Sequence, residues 1–289
     1  MARFARLVLS FTYVLSSLFL STQALPFELV FVAASPQIYA EPHDLVLSPD
    51  RRSLYLADNG NNRIAVLDPI SLKFISSFGE GELGAPHDVV FDASGRLLVA
   101  DTDNNRIAIY DLNSSQVKLL GEIVGGVRRP EGVEVDANGR VLATGASSGN
   151  IVAFKNNAIV AQAGGMSAPH DVVVAPDGTL WIADAGNNRL FNMTPELKLI
   201  SIVQGAPYHF KGPRYLDFDR EGRLYVADKY THQIKVLAPD KSLLLTLGSA
   251  KSGLGPGKFD RPEGIAINGA DVWFSDTYNN RIVRYRIVE

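Results

Sequence analysis

One tripeptide pattern recurs along the chain at nearly constant spacing and constrains the fold more than any other feature. Pro42-His43-Asp44, Pro86-His87-Asp88, Pro130-Glu131-Gly132, Pro169-His170-Asp171, Pro213-Arg214-Tyr215 and Pro262-Glu263-Gly264 are separated by 44, 44, 39, 44 and 49 residues. A fixed period of that length marks a repeat architecture, in which each unit buries its apolar faces only against its neighbours. Within the second unit, apolar runs at Asp88–Phe91, Arg96–Ala100, Arg106–Tyr110 and Val117–Leu120 are divided by turn-forming stretches such as "DASG" and "DTDNN". That is the pattern of a four-stranded antiparallel meander. Six meanders arranged radially make an all-β six-bladed β-propeller, with blades starting near residues 42, 86, 130, 169, 213 and 262.

The last unit stops after its third strand, "RIVRYRIV", and the stretch "PFELVFVAA" at 26–34 has the composition to supply the missing fourth. The N-terminal strand is therefore expected to close the ring, covering an edge that would otherwise be open. Ahead of it, Arg3 and Arg6 precede the apolar run Leu7–Leu20, and small residues follow up to Ala24. Residues 1–24 read as a secretory signal peptide, too short and too interrupted for a stable membrane anchor, and residues 25–289 as the propeller. A secreted protein without a single cysteine is held by packing and strand pairing alone. After signal removal, 26 basic and 31 acidic side chains remain, a net charge of −5. That balance argues against nucleic acid as a partner. The sequons at Asn113 and Asn192 are placed in strand-connecting turns and are candidate glycosylation sites.

Internal repetition separates structural from functional positions. The Asp-x-x-Asn-Asn-Arg series, with Asp58, Asp101, Asp184 and Asp276 ahead of Arg63, Arg106, Arg189 and Arg281, recurs in four units and is assigned to the turn between the second and third strands. The position after the motif proline instead reads His43, His87, Glu131, His170, Arg214 and Glu263 around the ring. It opens the innermost strand of every blade and so surrounds one mouth of the channel. The remaining histidines, His209 and His232, map to the same rim. Imidazole and carboxylate groups on an axis are ligands for a zinc-class divalent cation. His87, His170 and Glu263 lie on alternate blades and would surround an axial ion evenly, with His43 as a fourth ligand or as a hydrogen-bonding partner of one. Each Pro-His-Asp is equally readable as a strand start whose imidazole bonds its own aspartate or a nearby carbonyl.

"DNGNNRIAVLD", "DTDNNRIAIYD", "DAGNNRLFNM" and "DTYNNRIVRY" resemble the NHL-repeat family of six-bladed propellers. "APHDVVVAPDGTLWIADAGNNRL" is similar to the blades of the peptidyl-α-hydroxyglycine α-amidating lyases (peptidylamidoglycolate lyases) within it. The resemblance implies a secreted, zinc-dependent lyase that splits a C-terminal α-hydroxyglycine into a peptide amide and glyoxylate. It maps metal ligation to His87 and His170 with Glu263 at the third position, catalysis to Tyr230, and binding of the substrate carboxylate to Arg214. A separate upstream monooxygenase would have to supply the substrate. Glu263 in place of a histidine, the extra His43 and the missing cysteines depart from that pattern. A secreted non-enzymatic propeller that grips a peptide, glycan or protein at the channel mouth is the alternative.

Overall fold

The computed structural model describes residues 27–112 and 116–289. The proposed signal peptide and Asn113 lie outside the described residues. Six four-stranded antiparallel sheets are present among the described residues; five run in chain order from an innermost strand to an outer one, and the last takes its outer strand from the N-terminus. The innermost strands are Pro42–Leu47, Pro86–Phe91, Pro130–Val135, Pro169–Val174, Pro213–Phe218 and Ile265–Asn268. Five therefore begin on the motif proline, and the sixth begins three residues after Pro262. In that blade Glu263 and Gly264 pair irregularly with Ser275 through two backbone hydrogen bonds. Ring closure is as expected: strand Glu28–Ala34 pairs antiparallel with Arg281–Val288, from Glu28 opposite Val288 to Ala34 opposite Val283.

The core consists of inter-blade layers, which is why the strands read as apolar on both faces. Leu45, Leu54 and Leu56 of the first blade pack with Trp273 and Ile282 of the last, so the seam where the ring closes has an apolar core of its own. Trp273 is 1% exposed and its indole N–H donates to Pro69 O across that seam.

The repeated turn motif carries the polar wiring. Asp58, Asp101, Asp184 and Asp276 accept from the Nε of Arg63, Arg106, Arg189 and Arg281 at 2.6–2.7 Å. They accept also from the first asparagine of each turn at 2.9–3.0 Å. The other aspartate oxygen takes an amide N–H from the loop entering the same blade, as with Gly84 and Asp101 at 2.7 Å. The second asparagine has a positive φ of 51–55°, a conformation Asn tolerates better than most residues. Its side-chain oxygen accepts an amide from the next blade: Asn62 from Ala85, Asn105 from Arg129, Asn188 from Gly212, and Asn280 from Glu41 across the seam. The structural assignment of the motif holds.

Asn192 lies elsewhere than expected. It sits within the third strand of blade four, 5% exposed, with its amide donating to Thr179 Oγ1 at 3.0 Å. The folded chain does not present it for glycosylation, because an alternating strand position points its side chain inward where a turn position would point it out.

Candidate metal centre at the channel mouth

The six ring positions arrive at one end of the channel, five of them on the second residue of an innermost strand and Glu263 two residues ahead of Ile265–Asn268, and their side chains meet there. His43 Nδ1 is 3.4 Å and His170 Nε2 is 3.3 Å from the same oxygen, Glu263 Oε2. One ligand atom from each of His43, His170 and Glu263 lies within 4.8 Å of the other two, and all three residues are buried. The converging set thus contains His43 where the alternate-blade reading placed His87. His87 packs edge-on against His43, with ring centroids 4.3 Å apart, and against His170 at 5.7 Å. Its Nδ1 is engaged by Ala85 O and Thr102 Oγ1 at 2.9 Å and lies 3.1 Å from Asn59 Nδ2. Its Nε2 faces Glu131 Oε1 at 3.9 Å. No imidazole bonds its own motif aspartate. Asp88 and Asp171 instead accept the amides of Val133 and Leu216 on following blades.

Hydrogen-bond accounting shows what the central trio lacks. His170 Nδ1 contacts Glu131 Oε2 closely and donates its proton there, so that in the neutral ring a metal requires, Nε2 presents its lone pair. Arg214 Nη1 lies 2.9 Å from the same Nδ1. Because both groups are donors, the Glu131 carboxylate is the acceptor that satisfies the ring. His43 Nδ1, His170 Nε2 and both Glu263 oxygens are buried without a hydrogen-bond partner among the described residues. Native interiors rarely leave such atoms unpaired, and two lone pairs aimed at one carboxylate call for a cation or a proton between them. Two imidazoles and a carboxylate are a donor set for zinc-class metals.

Electrostatics favours the ligand forms. Burial holds His43 well below the usual imidazole value against the pull of Glu263, and lowers His87 to about 4. Burial works to raise both glutamates, but Glu131 is drawn to about 2 by His170, His87 and Arg214. Glu263 is held well below the ordinary carboxyl range by His43, His170, Lys229 and Arg214.

Three neighbours of the trio were given no role in the sequence reading. Lys229 Nζ stands 2.5 Å from Glu263 Oε1 in an ion pair whose angle does not make a hydrogen bond. Glu131 was named only as a ring position. Tyr215 lies across the channel beneath the histidines, 1% exposed, its hydroxyl donating to His87 O at 2.8 Å and its ring 4.9 Å from His170. It floors the site.

Tyr230 is 53% exposed at the rim, and Arg214 Nη2 lies 3.5 Å from its hydroxyl. The two catalytic candidates are therefore adjacent, and Arg214 stands beside His170. Tyr278 also stands at the rim. Gly212, at φ +67°, fits under Tyr230: a Cβ there would sit 2.6 Å from the ring, so the glycine sets where the tyrosine rests. His209 and His232 do not join the centre. His209 is exposed, while His232 takes the left-handed turn position at φ 58° and its Nδ1 accepts the amide of Arg261, doing in blade five what the second asparagine does elsewhere. The glycine-rich segment 248–261 is anchored by the fully buried Phe259 and by hydrogen bonds from Asn279 Nδ2 to Gly253 O and from Gly257 N to Tyr285 Oη.

The NHL repeat model matches residues 83–110 and 166–191, which span strands of the second and fourth blades. The chain carries NHL repeats. It is similar to peptidyl-glycine alpha-amidating monooxygenase B of Xenopus laevis, 25% identical over 181 residues, covering 54% of this chain and 21% of that one. NHL repeat-containing protein 2 of Gallus gallus is 25% identical over 283 residues, covering 79% of this chain and 37% of its own length. The chain thus spans about a fifth to two fifths of these relatives. Among solved structures, a streptogramin B lyase matches with a TM-score of 0.64 at 17% identity, over 91% of this chain and 87% of that one. An auxiliary nutrient binding protein from Bacteroides ovatus matches at 0.67 and 17%, over 86% and 69%. Those likenesses speak to the propeller fold.

Proposed function

We propose that the channel mouth binds a zinc-class divalent cation through His43, His170 and Glu263, and that the protein is a metal-dependent lyase converting peptides that end in α-hydroxyglycine into peptide amides and glyoxylate. The observation that carries this reading is the convergence of three buried ligand atoms with no hydrogen-bond partner. Similarity to relatives named for peptidyl-glycine α-amidation supports the substrate class. The bound cation would supply Lewis acidity toward the substrate α-hydroxyl.

The chain's own residues account for the rest. Arg214, held beside His170, is placed to pair with the terminal carboxylate and orient the scissile C–N bond. Tyr230 takes the hydroxyl proton and returns one to the departing amide nitrogen as the C–N bond breaks and the C–O bond gains its second bond, so that peptide amide and glyoxylate leave without net proton change. Glu131 keeps His170 in the tautomer that presents Nε2. Tyr215 closes the floor against water from below.

We propose further that the chain is secreted, with residues 1–24 removed; among the described residues no helix is long and apolar enough to cross a membrane. A non-enzymatic propeller binding a peptide, glycan or protein is the second reading, favoured by the exposed rings of Tyr230 and Tyr278 at the rim. Purification without chelators, metal analysis, and an assay of glyoxylate release from a hydroxyglycine-ended peptide separate the two. About one metal ion per chain and release that is lost in His43→Ala and His170→Ala support the lyase. Metal-free, inactive and well-folded protein leaves the binding module.

A further inference from the structure

The residue that follows the turn aspartate forms a second ring above the first: Asn59, Thr102, Ala185, Lys229 and Thr277 hold it in five blades. In three of these its role is plain. Asn59, Thr102 and Thr277 bond to the carbonyls of Pro86, Pro130 and Pro42, each at the start of the next blade. Lys229 alone brings a charge. Its side chain is 11% exposed, its Nζ lies 2.5 Å from Glu263 Oε1, and it sits 5.8 Å and 5.4 Å from the ring centroids of Tyr230 and Tyr278. A lysine placed against a buried carboxylate and two π-faces is a fixed positive charge beside the proposed ligand oxygen.

Counting charges at the site gives its consequence. Around the centre stand the carboxylates Glu131 and Glu263, the cations Arg214 and Lys229, and the imidazoles of His43, His87 and His170, which bind metal only in their neutral form. Two negative charges are already balanced by two positive ones. A divalent cation therefore adds two charges that nothing in the chain offsets.

We propose, on the footing of the cation-site reading, that Lys229 is the resident counter-charge of Glu263: it occupies Oε1, leaves Oε2 to face His43 and His170, lowers cation affinity, and makes the loaded site select an anionic co-ligand. The substrate end that this site accepts is thus a carboxylate, and a neutral C-terminal amide is refused for want of charge. Lys229 acts through Glu263 and is a positioning residue.

The test is zinc and cobalt(II) binding at pH 8 to the full chain, by competition with a chromophoric chelator, in wild type, Lys229→Thr, Lys229→Met and Lys229→Arg. Threonine is what blades two and six carry at this position, and methionine keeps the volume. The neutral variants should bind either metal at least tenfold tighter, while Lys229→Arg stays within threefold of wild type. Acetate binding to the cobalt-loaded protein, followed in the visible spectrum, should weaken at least threefold in Lys229→Thr. A lysine that only braced the loop would weaken metal binding when removed. Unchanged or weaker metal affinity in both neutral variants, with metal bound by wild type, overturns the proposal, and unchanged acetate binding overturns its co-ligand half. Wild-type protein that binds neither metal overturns the cation-site reading itself.

Discussion

Glu131 offers the sharpest way to break the candidate centre without touching a ligand atom. Its carboxylate accepts the Nδ1 proton of His170 and thereby fixes the tautomer that aims Nε2 at Glu263. Carboxylates behind metal-binding histidines are worth about 10–100-fold in metal affinity, which corresponds to roughly 1.4–2.7 kcal/mol. Glu131→Gln keeps an acceptor and the shape but removes the charge, so it should sit near the lower end, about tenfold weaker zinc binding at pH 8. Glu131→Met removes the acceptor as well, frees the ring to choose its other tautomer, and should reach about a hundredfold. Both variants also leave Arg214 without one of its two compensating carboxylates, so melting temperature is recorded alongside to separate lost affinity from lost fold. Chelator competition with zinc reads the affinity, and cobalt(II) spectra read the change in ligand field. Equal, wild-type-like affinities in both variants would refute the assignment of Nε2 as the ligand atom, and with it the role given to Glu131.

Two further outcomes test the fold that carries the site. Burial raises Glu134 to about 8 and Asp217 to about 7. Both are favoured as neutral acids in the folded chain, so each contributes stability that is present below its unfolded pKa and lost as pH rises through its folded one. Between pH 5 and pH 9 the wild type should lose up to about 4 kcal/mol through Glu134 and up to about 3 kcal/mol through Asp217, and the double variant Glu134→Gln, Asp217→Asn should show a flatter profile of melting temperature against pH. At the ring seam, Asn280→Gly removes the hydrogen bond to Glu41 N and should cost about 0.5–1.5 kcal/mol. Asn280→Ala adds the cost of φ 53° for a residue with a Cβ, about 1 kcal/mol more; an alanine variant no less stable than the glycine one would show that the left-handed turn is not what this position selects for.

Blade number, blade starts and the N-terminal closing strand were legible because each follows from one-dimensional information: a period, an alternation and a count of strands in the last unit. The structural role of the Asp-x-x-Asn-Asn-Arg series was legible for the same reason, since a residue that repeats in four blades serves the blade. What the series could not disclose is that its two asparagines divide the work, one bonding within the blade and one to its neighbour, because that depends on backbone torsions at Asn62, Asn105, Asn188 and Asn280. His232 was read as a rim histidine, yet it stands in the place of that second asparagine and does its work.

The site itself was half legible. Reading around the ring found every residue at the first level, but angle alone predicted His87, His170 and Glu263 as the converging set, whereas the histidine that reaches Glu263 is the one on the adjacent blade. Neighbouring blades bring their opening residues closest, so His43 and Glu263 meet across the seam, and His170, nearly opposite, closes the group from the far side. His87 is turned aside because Ala85, Thr102 and Asn59 hold its Nδ1. Those last two belong to a second ring of varied residues, displaced by one position from an aspartate that recurs in five blades and therefore hidden by the regularity beside it. Lys229 belongs to that same ring. A varied position next to an invariant one is the signal that would have found it, and in a propeller each such position adds one more level of side chains around the same axis. On the proposed reading, the chemistry of the mouth is set by two levels: the first supplies His43, His170 and Glu263, and the second decides, through Asn59, Thr102 and Lys229, which ring atoms remain free to bind.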